Sequence, residues 1–97
     1  MILGAFGEIL SGRSKGTEVA IQCVLKGVPS SLQFDFKGVR SFTQSFVSGL
    51  LTELHRRGVK LTSITFDGIQ EDDLKKRFER EKERLSVLYS EESKASS

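Results

Sequence analysis

The chain has no tryptophan and one residue each of cysteine, histidine, proline, tyrosine and methionine. A single cysteine excludes an internal disulfide, and with a single histidine it leaves no CxxC, HExxH or similar cluster for zinc. That cysteine usage makes an intracellular, cytoplasmic protein the simplest expectation. Long apolar runs are also missing. Met1–Leu10 is apolar but short, lacks a basic leader and contains Glu8, so it fits neither a signal peptide nor a membrane span. Too few nucleophile, base and metal candidates converge to assemble a catalytic site, so neither an enzyme nor a cofactor is expected. No internal repeat is visible.

What is present points to one domain. Ninety-seven residues with 37% apolar content allow a single modest core. Of seven phenylalanines, five (Phe34, Phe36, Phe42, Phe46 and Phe66) cluster in the middle of the chain, where the core is expected. A net charge of +2 is too small to argue for nucleic acid. Residues 69–92 hold six Lys/Arg against eight Asp/Glu, leaving nine against five elsewhere. Part of that surplus sits at Arg56, Arg57 and Lys60, which read as a solvated face, with nucleic acid only the weakest alternative.

Periodicity orders the elements. Met1–Leu10 reads as a first strand or strand pair, with Gly4 and Gly7 marking a turn or bulge. Ser11–Thr17 reads as a loop, followed by a helix that places Val19, Ala20, Cys23 and Val24 on one face and ends at Gly27 and Pro29. In Leu32–Phe36 apolar residues alternate, the period of a half-buried strand. Phe46, Leu50 and Leu54 then recur every four residues, which predicts a helix over Ser45–Arg57 stopped by Gly58. Val59–Phe66 is β-branched and aromatic enough for a strand ended by Asp67-Gly68. A helix follows from Gln70 to about Tyr89. Residues 1–89 thus form the domain, and Ser90–Ser97, small and polar, are expected to be a disordered tail. Strands separated by helices imply crossovers and a mainly parallel central sheet, in the order β(β)αβαβα.

The switch from strand to helix period falls within Lys37–Ser45. Either Thr43 or Ser45 can accept a hydrogen bond from the free N–H groups of the helix's first turn. The polar tip Thr43-Gln44-Ser45 then stands between a strand and an apolar helix, an arrangement that suits an interaction module. Partner contacts are expected from Thr43, Gln44, Ser45 and Ser48, with Phe46 facing the core. Capping alone is the competing explanation of the same residues.

The stretch Asp35-Phe36-x-Gly38-Val39, then Phe42, Thr43-Gln44-Ser45, Phe46 and Gly49-Leu50-Leu51, resembles the STAS domain of bacterial anti-sigma factor antagonists. It is more similar still to a small STAS-like family of unknown function in which a Ser-Phe pair opens this helix. The resemblance covers roughly residues 9–80, with its distinctive part in Asp35–Leu51. It implies a single STAS-like α/β domain and a non-catalytic regulatory role. The implied partner is a protein, such as a histidine-kinase-like ATPase or an anti-sigma type regulator. In the antagonists an Asp-Ser-Ser-Gly-Leu motif occupies this loop and a kinase phosphorylates its first serine. Here Thr43, Gln44, Ser45 and Phe46 fall on its first four positions, so a phosphoacceptor would have to be Thr43 or Ser45.

The last helix suggests an alternative. Leu74, Phe78, Glu81, Leu85 and Leu88 follow four-three-four-three spacing, one seam of a helix that Glu81 interrupts. One expectation is a helix packed on its own domain. The other is a helix that projects and leaves Leu85, Leu88 and Tyr89 as an oligomer contact. The second would make the chain a homodimer or an adaptor, of phage or mobile-element type, binding another macromolecule through the sheet edge and this helix. Pairs such as Asp72–Lys76 attract and Glu79–Glu83 repel, each by only a few tenths of a kcal/mol.

Other positions read as structural. Gly12-Arg13-Ser14-Lys15-Gly16 before a helix is a capped loop before it is an anion site, and it lacks the GxxxxGK[ST] spacing. His55 suits a helix C-terminus, Cys23 a small core position, and Asp35 and Asp67, at strand ends, turn capping.

Overall fold

The computed structural model describes residues 1–95, with side-chain surroundings given as far as Tyr89. Three α-helices and two small parallel strand pairs make up the α/β fold of the described residues. In chain order these are β1 (Ile9–Leu10), α1 (Arg13–Cys23), β2 (Leu32–Asp35), β3 (Ser41–Phe42), α2 (Gln44–Arg56), β4 (Ile64–Asp67) and α3 (Asp72–Ala95).

The strands are parallel, yet they form two pairs and not the single central sheet expected. β2 pairs with β4 in the register Leu32 to Ile64 through Asp35 to Asp67, while β1 pairs with β3. β1 and β3 are two residues long, too short to extend a ladder across the molecule. The N-terminal strand is likewise reduced. Leu3–Phe6 coils into a 3-10 turn, and Ile2 makes only an isolated bridge to Asp35.

The strand expected over Val59–Phe66 is shortened to β4 at Ile64–Asp67. Leu61–Ser63 forms a 3-10 turn in which the Ser63 backbone N–H and Oγ both donate to the Lys60 carbonyl, at 3.0 and 2.6 Å. A serine hydroxyl offers the backbone a local partner that competes with the sheet ladder. α1 also starts earlier than expected, at Arg13, so most of Ser11–Thr17 is helical.

α3 runs on through Ala95, past the end expected near Tyr89, because no glycine or proline interrupts it there. The helix therefore takes in residues 90–95 of the segment expected to be a tail; Ser96 and Ser97 lie outside the described residues. Among the described residues no helix is long and apolar enough to cross a membrane.

The core collects the expected phenylalanines. Phe34, Phe36, Phe42 and Phe46 are fully buried, while Phe66 is half-buried against them. Phe78 of α3 stands at their centre, with ring centroids 6.4 Å from Phe34, 5.4 Å from Phe36, 6.4 Å from Phe42 and 4.6 Å from Phe66. Val19 and Ala20 of α1 are buried, with Cys23 and Val24 packed beside them, as the helical spacing predicts. On the facing side α2 buries Phe46, Val47, Leu50, Leu51 and Leu54.

α1 and α2 approach each other at two glycines. A Cβ on Gly16 would run into the Phe46 carbonyl and lie 2.6 Å from the Leu50 nitrogen. One on Gly49 would lie 2.6 Å from the Arg13 carbonyl oxygen. These obstacles are backbone, which cannot turn aside as a side chain can. Gly16→Ala should therefore cost about 2 kcal/mol in urea denaturation by overpacking, although alanine is the better helix former. A gain in stability would show that the helices do not meet at this point.

Candidate functional site

The loop tip owes its shape to Thr43, the N-cap of α2. Its Oγ1 accepts from the Phe46 N–H at 3.2 Å and from the Gly12 N–H at 3.1 Å. Its own N–H donates to the Leu10 carbonyl at 3.0 Å. One hydroxyl therefore starts α2 and fixes the chain leading into α1. Of the two capping candidates, the structure selects Thr43.

α3 holds the tip from the other side. Arg77 Nη1 donates to the Phe42 carbonyl at 3.1 Å, and Gln44 Nε2 donates to Glu81 Oε2 at 3.1 Å. Glu81, which breaks the apolar seam, is only 4% exposed. Its other oxygen accepts from Arg84 Nε at 3.0 Å and from Arg84 Nη2. A buried carboxylate needs this satisfaction, because an unpaired charge in the interior is costly. The same contact raises the Arg84 pKa, first through the hydrogen bond and then through the charge of Glu81.

Thr43, Gln44 and Ser45 are all exposed, Ser48 is half-buried and Phe46 is fully buried. Ser48 Oγ lies 3.5 Å from Arg13 Nη2. A cleft of about 300 Å³ opens beside the tip, lined by Gln44, Asp73, Lys76, Arg77, Arg80 and Glu81. A second cleft of about 430 Å³ lies beyond the carboxyl ends of β2 and β4, where Phe36, Val39, Ile69 and Leu74 meet Glu8, Arg40 and Glu71.

Of the three residues expected to stand exposed, Leu85 is the one the core takes in, and Tyr89 is half-buried. Leu85 is only 3% exposed, inside the core. Tyr89 stacks on His55 with centroids 3.8 Å apart, and its hydroxyl donates to Thr52 Oγ1 at 3.2 Å. Leu88, 42% exposed, and its neighbour Val87, 54% exposed, keep open apolar side chains. Glu81 does not throw the helix outward, because Gln44 and Arg84 let it pack inward.

The remaining candidates have ordinary partners. Asp35 Oδ1 accepts from the Lys37 N–H at 2.9 Å, the turn cap expected, while β-pairing sets Asp35 opposite Asp67. Arg56 and Arg57 both pair with Glu53, at 3.6 and 2.8 Å. In the Gly12–Gly16 stretch Lys15 pairs with Glu18 at 3.4 Å. Cys23 is partly buried, and its pKa rises from 9.0 to about 11 through desolvation, lowered slightly by the positive N-terminus.

No protein-family model matches the chain, and no match is found among curated proteins or among solved structures. The STAS-like reading thus rests on this chain's own residues. Sequence reasoning did not find Arg77, Glu81 or Gly12 as supports of the tip. Glu81 alone carried a signal, as a charge at a seam position.

Two outcomes test this geometry. Thr43→Ala should destabilise the fold by about 1–2 kcal/mol in urea denaturation while Thr43→Ser stays near wild type, since only the hydroxyl caps; equal stability of all three would remove the cap from the account. Cys23 should react with iodoacetamide at pH 8 far more slowly in the native chain than in the urea-unfolded chain, because its raised pKa keeps the thiol protonated. Equal rates would place the thiol in the open.

Proposed function

We propose that this chain is a non-catalytic, STAS-like regulatory module that docks a protein partner through Thr43-Gln44-Ser45 and the first turn of α2. The observation that carries this reading is a tip that is exposed yet held. Thr43 is tied to α1 and α2, Phe42 and Gln44 are tied to α3, and the side chains of Gln44 and Ser45 still face solvent. A surface fixed before binding loses less entropy on association than a mobile loop does.

The alternation of parallel strand pairs with helices, and a capped helix following β3, support a STAS-like arrangement. The family resemblance suggests a histidine-kinase-like ATPase or an anti-sigma type regulator as the partner. Regulation by phosphorylation would fall on Ser45 in preference to Thr43. The Thr43 oxygen already accepts two backbone hydrogen bonds that a phosphoester would disturb, whereas Ser45 is exposed in the first turn of α2.

The test is capture from a native extract with the wild-type chain and with Ser45→Arg, an exposed position where the fold should survive. A protein retained by wild type should be lost with Ser45→Arg while the circular dichroism melt is unchanged. Equal retention by both chains, or no protein retained by wild type, counts against the docking surface.

A further inference from the structure

The cleft beside the loop tip concentrates basic side chains. Three of its six lining residues, Lys76, Arg77 and Arg80, are cations. Five cations elsewhere have carboxylate partners, Lys15 with Glu18, Arg40 with Glu8, Arg56 and Arg57 with Glu53, and Arg84 with Glu81, while Arg13, Lys26, Lys37, Lys60, Lys75 and Lys82 have none within 4.0 Å among the described residues but do not line this cleft. Lys76, Arg77 and Arg80 make no ion pair within 4.0 Å among the described residues, although Asp73 lines the same cleft and Asp72 stands one turn from Lys76. Glu81, the remaining carboxylate of the lining, is already occupied by Arg84 and Gln44.

Arg77 is also oriented. One of its guanidinium nitrogens is spent on the Phe42 carbonyl, which anchors the group at the mouth of the cleft. A guanidinium carries five N–H donors, so others remain for an incoming acceptor. The cleft therefore brings together three cations that make no ion pair within 4.0 Å, one positioned fork and the Gln44 amide, directly beside the tip, with Asp73 and the already engaged Glu81 as the carboxylates of its lining.

We infer that this cleft receives an acidic segment of the partner protein, whose carboxylates pair with Lys76, Arg77 and Arg80 next to Gln44. The inference rests on the docking surface proposed above and gives its partner a chemistry. Charge complementarity selects a short acidic peptide over nucleic acid. The cationic cleft is local, whereas residues 69–92 as a whole carry two more acidic than basic side chains. A run of two or three carboxylates matches the three cations of such a patch, whereas an extended phosphate backbone draws its affinity from cations spread along a longer track.

The experiment titrates the ¹⁵N-labelled full chain with capped hexaglutamate at low salt, alongside a capped glycine-serine hexapeptide. Saturable amide shifts at Thr43–Ser45 and along residues 76–81 are expected with hexaglutamate alone. Affinity should fall by about tenfold in Lys76→Glu/Arg80→Glu, two exposed substitutions whose spectrum stays dispersed. No saturable shift, shifts centred on Arg56, Arg57 and Lys60, or unchanged affinity of the double variant would overturn the assignment. Tighter binding of hexathymidylate at the same cleft would also overturn it, in favour of nucleic acid.

The two readings fail separately. A partner lost with Ser45→Arg but kept by the double variant removes the acidic segment and leaves the docking tip. Hexaglutamate binding that depends on Lys76 and Arg80 but ignores Ser45→Arg, with a partner that ignores it too, removes the tip and leaves an acidic-peptide cleft.

Discussion

The ring of Phe78 holds the two halves of the strand framework together. Phe34 and Phe66 lie in the β2–β4 pair and Phe42 lies in β3, and all three rings meet Phe78, edge-on or tilted. The pairs share no ladder, so side-chain packing must do the joining that backbone hydrogen bonds do inside one sheet. Each aromatic contact is worth about 0.5–1.5 kcal/mol beyond its buried area, enough for four contacts to one ring to dominate the local energetics. Removing that ring would free α3 and the strand pairs together.

Because Phe78 seats α3, it also sets the geometry of the tip. Arg77 precedes it and Glu81 follows within a turn, so burying Phe78 brings one side chain to the Phe42 carbonyl and the other to the Gln44 amide. Packing thus determines where the polar contacts fall. Thr43 completes the hold from the α1 side, where the glycine contact between α1 and α2 lets Gly12 come within reach of its hydroxyl. The exposed residues of the tip are few, and their supports are buried or oriented.

Much of this was legible beforehand, and the failures share a cause. Alternation identified Leu32–Phe36, and the four-residue period identified α2 and its buried Phe46. Thr43 was one of two capping candidates by residue type and position. Missed were the β1–β3 pairing, the 3-10 turn at Leu61–Ser63, the inward packing of Leu85 and Tyr89, and the part played by Glu81. Two-residue strands have no period to detect, and a charged residue in an apolar seam reads as exposed until its partners are known. Gly16 read as a loop residue because a missing side chain gives no hint of the backbone that fills its place.

The sequence by itself determined which faces are apolar, roughly where helices begin, and that a polar tip separates β-type from helical spacing. These are properties of neighbouring residues, set by period and by capping chemistry. Only the tertiary structure decided what lies against those faces. Glu81 could be buried because Gln44 and Arg84, 37 and 3 residues away along the chain, reach it. Lys76, Arg77 and Arg80 became a cleft because Phe78 turned that side of α3 toward the tip. Local spacing records which side chains leave water, while the identity of their partners depends on how distant segments pack.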